Sequence, residues 1–375
     1  MAEIDKALPN VQETIDVSQE EIEQLPEPEV TGPSNVVTNE DGSVDINYEN
    51  EQMSEMPEDH FANLSDFMDD SALGVLGSDL TEKYQDYKAS RKDWEQAYVT
   101  GLDLLGFKYN MRSEPFQGAS GATHPVLAEA VTQFQSLAYK ELLPSNGPVR
   151  TQIIGASSPE KEQQAERVKE FMNYQLMDQM KEYEPEFDSM LFYLPLAGST
   201  FKKVYYDELL GRAVSKFVPA DELVVPYSAT SLDDAEAIIH VVKTSQNDLR
   251  KQQVSGFYRD IEIPEPGEED VNALERKERE LEGQQKTRDE NIHTLLEFHI
   301  DLDLENFEDK DLQTGEETGI KLPYIVTIEE NSREILSIRR NYDQTDPLKK
   351  KKQYFVHFKF LPGLGFYGFG LIHMI

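Results

Sequence analysis

The sequence predicts an α+β chain: an acidic arm without structure, then a helical N-terminal part, then an antiparallel β-rich region. Three observations carry that class. Apolar residues recur at i, i+3, i+4 and i+7 in several windows between residues 80 and 194. From residue 201 the pattern changes to short apolar and alternating runs bounded by Gly, Pro, Asn and Asp. Before both, residues 1–70 hold 20 carboxylates against one base, Lys6, a net of −19 within a chain total of −36.

Residues 1–75 are rich in Glu, Asp, Asn, Ser and Pro, with Pro26, Pro28 and Pro33 close together. Such a stretch buries too little apolar surface to offset its chain entropy and reads as a disordered arm. Inside it, Phe61, Leu64, Phe67 and Met68 fall at helical spacing. They read as a short helix docking on the fold, or as a binding segment for another protein.

The spacing predicts a helix over 80–105, capped by Ser78 or Asp79 and carrying Tyr84, Tyr87, Trp94, Tyr98 and Leu102. Residues 111–125 form a polar loop. A second helix carries Leu127, Ala130, Val131, Phe134, Leu137 and Ala138, and Pro144 and Gly147 stop it. Val149 to Ile154 reads as a strand. Helices follow over about 158–181 and 185–194, the first burying Ala165, Val168, Phe171, Met172 and Leu176. Strands are expected at Phe201–Tyr206, Ala213–Val218 and Ala237–Val242, with Leu210-Gly211 turning the first into the second. Ser245 caps a short helix bearing Leu249 and Val254. Residues 262–290 are a charged insertion containing a solvated helix from about Val271 to Gln285. Strands at His293–Asp303, Leu322–Glu329, Glu334–Arg340 and Tyr354–Phe360 complete the pattern. This divides the chain into an arm (1–75), a helical region (76–200) and a β-rich region (201–375). Gly370 to Ile375 is apolar and opens what reads as a new element, so the chain is expected to be truncated relative to its natural reading frame.

The composition narrows the chemistry. The hydrophobic fraction of 38% is low for a compact domain, so part of the chain should lie outside any core. With no cysteine there is no disulfide, thiolate metal site or cysteine nucleophile. A strongly acidic surface repels nucleic acid, since tight binders set Lys and Arg against phosphates. DNA near such a surface would pass loosely, as in a conduit. No run reaches the ~20 apolar residues that span a bilayer, and the N-terminus lacks the apolar run of a secretory signal.

Several motifs match chemistry only in part. Gly363, Gly365 and Gly368 fit G-x-G-x-x-G after a strand, but the flanking pattern is antiparallel rather than βαβ, which favours a glycine-rich bend. Asp301, Asp303 and Glu305 resemble a calcium loop, but its sixth and twelfth positions are Asn306 and Leu312, so a strand with one wet face fits better. His293 and His299 have an H-x₅-H spacing without upstream cysteines; even spacing places both on one strand face, where a metal site and ordinary packing are both open. Paired carboxylates are everywhere and single out nothing. Lys349, Lys350, Lys351 and Lys352 form the one basic run, either a solvated turn or a contact to DNA or an acidic neighbouring subunit.

Residues 114–150 bring a resemblance. Glu114-Pro-Phe-Gln-Gly-Ala-Ser-Gly-Ala-Thr-His124-Pro125, a helix, Tyr139-Lys-Glu-Leu-Leu-Pro144 and Gly147-Pro-Val-Arg150 resemble the portal, or head-to-tail connector, proteins of short-tailed bacteriophages. Leu194 to Asp207, Pro219 to Pro226, and Phe360 to Gly363 through Gly370 to Ile372 look like later blocks of that family, so the resemblance covers roughly 80–375. It implies a portal-like fold in which this chain supplies most of the outer wing, with the stem, the clip and the channel-lining elements following Ile375. It also implies a homo-oligomeric ring, about twelve subunits closed around a channel at one capsid vertex. The implied partners are the terminase packaging motor, coat and scaffolding proteins, tail adaptor proteins and double-stranded DNA passing without sequence specificity; no membrane, catalysis or cofactor is implied. The implied place is the virion, and the host cytoplasm during assembly. Trp94, Phe116, His124 and Arg150 are the candidate assembly and packing residues. Two other readings stand beside this one: a scaffold-like or head-tail adaptor binding protein that works through its acidic arm, and a hydrolase built on carboxylates.

Overall fold

The computed structural model describes residues 36–38, 44–46, 59–105, 116, 124–207, 210–265, 273–283, 292–310, 316–363 and 365–374. The chain divides into two units, Met1–Ser54 and Glu55–Ile375. In the first, β1 (Val36–Thr38) pairs antiparallel with β2 (Val44–Ile46). This strand pair departs from the expected featureless arm; the rest of residues 1–58 lies outside the described residues.

The second unit is α+β, as the patterning predicts, but its helical and β-rich regions share cores instead of forming separate domains. Its helices are α1 (Asp70–Ser90), α2 (Lys92–Leu102), α3 (Val126–Leu142), α4 (Pro159–Tyr174), α5 (Tyr183–Ala197), α6 (Gln246–Val254) and α7 (Ala273–Glu282). A five-stranded antiparallel sheet runs β5 (Leu223–Val224), β6 (Ala237–Ser245), β7 (Ile292–Leu302), β8 (Leu322–Glu329), β9 (Ile335–Arg340) in spatial order. A three-stranded sheet sets β3 (Ser199–Asp207) between β10 (Phe355–Lys359) and β4 (Arg212–Pro219).

Alternation along the strands builds three layers. Leu296, Phe298 and Ile300 of β7 face α1, meeting Leu73, Leu80 and Tyr84. Positions of opposite parity face the other way. There Leu223 and Ile238 pack on Phe201, Val218 and Phe355 of the small sheet, and Leu295 and Leu336 pack on Leu249 of α6. A third core joins α2, α3, α5, α7 and the 3₁₀ turn Leu371–His373 through Tyr98, Val131, Leu196, Leu274 and Ile372.

The structure corrects several boundaries. The first helix begins at Asp70, not near Leu80, because the Asp69 side chain accepts from the Ser71 amide and caps it. Gly74 and Gly77 weaken the helical signal in that turn. Gly77 is required there, since a Cβ would run into the Arg333 carbonyl. Leu64–Phe67 forms a 3₁₀ turn with Leu64 fully buried, so the fold includes residues assigned to the arm. Val149–Ile154 is not a strand. The Asn173 side chain donates to the Val149 carbonyl at 3.2 Å and accepts from its amide at 2.9 Å, occupying the groups a partner strand would need, and Ile154 is 94% exposed. The helix expected over 158–181 is α4 continued by a π-turn at Gln175–Gln179, and its apolar stripe is uncovered: Val168, Phe171 and Met172 are exposed. Among the described residues, no helix is long and apolar enough to cross a membrane.

Candidate functional site

Three of the later sequence blocks, around Gly198, Leu223 and Tyr367–Gly370, are distant in the chain and converge on one junction. Gly198, at φ 86°, ends α5, and its carbonyl accepts from the Phe360 amide at 3.0 Å. A Cβ at Gly198 would strike Phe369 and Gly370, and one at Gly370 would strike the Leu196 carbonyl, so two glycines let these backbones touch. The Gly368 amide donates to Ser199 Oγ at 2.7 Å, and the Tyr367 hydroxyl donates to the Leu223 carbonyl at 3.0 Å. The G-x-G-x-x-G match is therefore a bend closed by the Leu361–Phe369 bridge, with Gly363 and Gly368 serving close chain packing and Gly365 in open space.

Arg91 locks this junction to the helices. Its guanidinium donates to the carbonyls of Leu223 (2.9 Å), Ala220 (3.1 Å) and Asp221, and its Nε bonds Glu95 at 2.8 Å. Trp94 stacks on Tyr367 with centroids 4.6 Å apart and packs into two cores at once. Its buried Nε1 has no hydrogen-bond partner among the described residues. Trp94 is thus an interior packing residue. Phe116, His124 and Arg150 are exposed, and Arg150 borders a shallow pocket with Glu166 and Lys169. The structure does not gather these four candidates into one place.

The basic run is largely committed within the chain. Lys349 pairs with Asp309, Lys352 lies 3.7 Å from Asp343, and Lys351 reaches the Ala235 carbonyl at 3.5 Å. Lys350 is the exposed member. This favours the turn reading over a basic contact surface.

Between the two sheets lies a buried polar network. Lys203 Nζ of β3 donates to both Glu297 oxygens of β7 at 2.6 Å, His299 Nε2 lies 2.7 Å from Glu297 Oε1, and His240 Nδ1 lies 3.5 Å from Lys203 Nζ. Burial works against the Glu297 charge, but the Lys203 ammonium and the His299 bond outweigh it and hold the carboxyl well below its usual range. Burial, then the Lys203 charge, pushes His240 down to about 3. The expected histidine pair on one strand face is real: His293 and His299 are both buried. Each is held by a carboxylate instead, Glu329 at 3.4 Å and Glu297 at 2.7 Å. No described group of three His, Asp or Glu residues could hold a metal ion.

A cleft of about 990 Å³ opens between α1, α7 and the β4–β5 connection. Asp221, Glu222, Glu275 and Glu278 share it. Burial first, then the Asp221 carboxylate, pushes both Glu222 and Glu278 up to about 8, and burial raises Asp221 despite Arg91. Sequence reading missed this cluster, since carboxylate pairs are common throughout the chain. The intersheet network had a signal: in Lys202-Lys203, strand alternation puts the two lysines on opposite faces, and with Lys202 buried on one side, Lys203 meets the neighbouring sheet on the other.

No family model matches the chain, and no curated protein matches it in sequence.

Proposed function

We propose that this chain is a structural subunit of a portal-like phage ring, acting as conduit and docking platform and not as an enzyme. The observation that carries the reading is the α4 stripe. Val168, Phe171 and Met172 recur at helical spacing, as a packed face does, yet they are exposed in the single chain. A neighbouring copy offering a different patch would cover the stripe, and a head-to-tail contact that closes makes a ring. The three later blocks resembling portal proteins support the reading by meeting in one packed junction, as a shared scaffold requires. The net charge of −36 would let DNA slide past with few phosphates neutralised.

Electron microscopy of the protein expressed from its full natural reading frame tests the proposal. Rings with a central hole are expected, and F171D with V168D should break them into monomers that keep the same circular dichroism. Monodisperse monomers or dimers of the unsubstituted protein across concentration and salt would sink the reading.

A further inference from the structure

Helix α7 docks with opposite tendencies on its two sides. Leu274 is 1% exposed in the α2–α5 core, with Leu281 packed beside it. Lys277 ties the helix to Asp103 of α2's C-terminal turn at 2.5 Å. The inward polar side instead meets like charge. Glu278 is surrounded by Asp221, Glu282, Glu275 and Glu222, the charged groups that act on it most strongly.

The charged surroundings come from every neighbouring element. From the β4–β5 connection come Asp221 and Glu222, the latter also feeling Glu186 of α5. Lys243 of β6 pairs with Glu275, and Arg279 of α7 itself bonds Glu275 at 2.6 Å. Arg91 spends its donors on carbonyls and Glu95. Tyr98 of α2 and Tyr193 of α5 border the same carboxylates with hydroxyls held neutral: Tyr98 is raised well above its ordinary value by burial and then Glu278, and Tyr193 is raised likewise. The far wall carries Glu82 and Lys88 of α1 and Glu330 and Arg333 of the β8–β9 turn. The nearest cations bond Glu275, Glu95, Tyr367 and main-chain carbonyls; the Lys243 charge opposes the rise at Glu222, but burial and the neighbouring carboxylates outweigh it, and Glu278 and Glu222 are accommodated as neutral acids.

We propose that α7 is a proton-controlled strap over this cleft: it stays docked while Glu278 and Glu222 keep their protons and is released when they ionise. The sign follows from linkage. Released, both carboxyls return toward the ordinary glutamate value; docked, they are held near 8. Docking therefore binds protons. Its strength is complete below the released value and declines as pH rises through about 8. The apolar anchors Leu274 and Leu281 and the Lys277 bridge do not titrate over this range, so they set the strength of docking and the two carboxyls set its pH dependence.

Hydrogen exchange of the whole chain tests this at about pH 6 and about pH 9.5, corrected for intrinsic exchange. Protection of the amides of 273–282 is expected to fall at least about tenfold at the higher pH, while that of β7 is held. Trp94, the one tryptophan, lies in the core that α7 joins, so its fluorescence should shift with the same midpoint. The double substitution E222Q/E278Q keeps the neutral shape and cannot ionise, so α7 protection should lose most of its pH dependence; E278Q alone should give a partial effect if the pair folds poorly. Equal α7 protection at both pH values, a loss shared equally by β7, or a full pH response persisting in E222Q/E278Q would each overturn the strap.

Discussion

Arg91 sits where α1 ends and α2 begins, and its guanidinium gathers the carbonyls of Ala220, Asp221 and Leu223 from the β4–β5 connection. A planar fork can serve several acceptors at once, and a lysine cannot. R91A would leave these carbonyls and Glu95 without their donor in a dry site. It should lower stability by about 3–5 kcal/mol, read from chemical denaturation, with R91K recovering little of the loss. At the same scale, His240 and His357 are each pushed down to about 3, the first by burial and then Lys203, the second by burial and then Lys359. Both rings fold neutral and prefer to be charged when unfolded. Their contribution is present above their ordinary value of 6.5 and is lost as pH falls from there toward about 3. Glu297, with its carboxyl held down in the fold, adds a loss on the acid side below its ordinary value of 4.5. H240F/H357F should therefore retain more of its neutral-pH stability than the unsubstituted chain when both are titrated toward about pH 4; parallel acid curves would contradict this.

At the scale of elements, the sequence was legible wherever one face of a strand or helix meets one core. β3, β4 and β6 through β10 lie within a few residues of their predicted spans, and α3 and α6 carry the caps and stops that the pattern names. It misled where the determinant lay elsewhere in the chain. Asn173 prevents pairing of Val149, and nothing local to Val149 announces that. Gly77 thins the signal of α1 for the sake of a carbonyl that arrives with Arg333. The α4 stripe was read correctly as apolar and wrongly as buried, because periodicity gives a face and not what covers it. The acidic cleft was illegible for a related reason: Asp221, Glu222 and Glu278 gain their character from burial, which no spacing rule encodes in so acidic a chain.

For the whole molecule, the acidic segment and the fold separate earlier than composition indicates. The second unit begins at Glu55, Leu64 lies in the main core, and Asp69 caps α1. Removing residues 1–54 should leave the thermal midpoint of the main transition within a few degrees of the full chain, and a portal-type assembly should survive. Removing residues 1–75 deletes Leu64 and Leu73 and should destabilise by about 2–5 kcal/mol or more. If the shorter deletion abolishes a binding partner and leaves oligomerisation unchanged, the adaptor reading gains over the ring. Only the shorter cut makes that comparison, since the longer one damages the core.

Asn63 has a consequence in time. Its amide donates to the Leu336 carbonyl at 3.2 Å and its oxygen accepts from the Ile338 amide at 2.9 Å, contacts spanning 273 and 275 residues. The Leu371–His373 turn closes on α2 across a similar span. Contacts this remote make for slow folding, since loops must close before the pairing rewards them. On a ribosome adding about 5–20 residues each second, Leu64 and α1 wait on the order of 10 to 60 s for β9. During that interval the face of α1 that will cover the sheet is a nascent apolar surface without its strands, and shielding it is a task for the cell's chaperones before it is one for the fold.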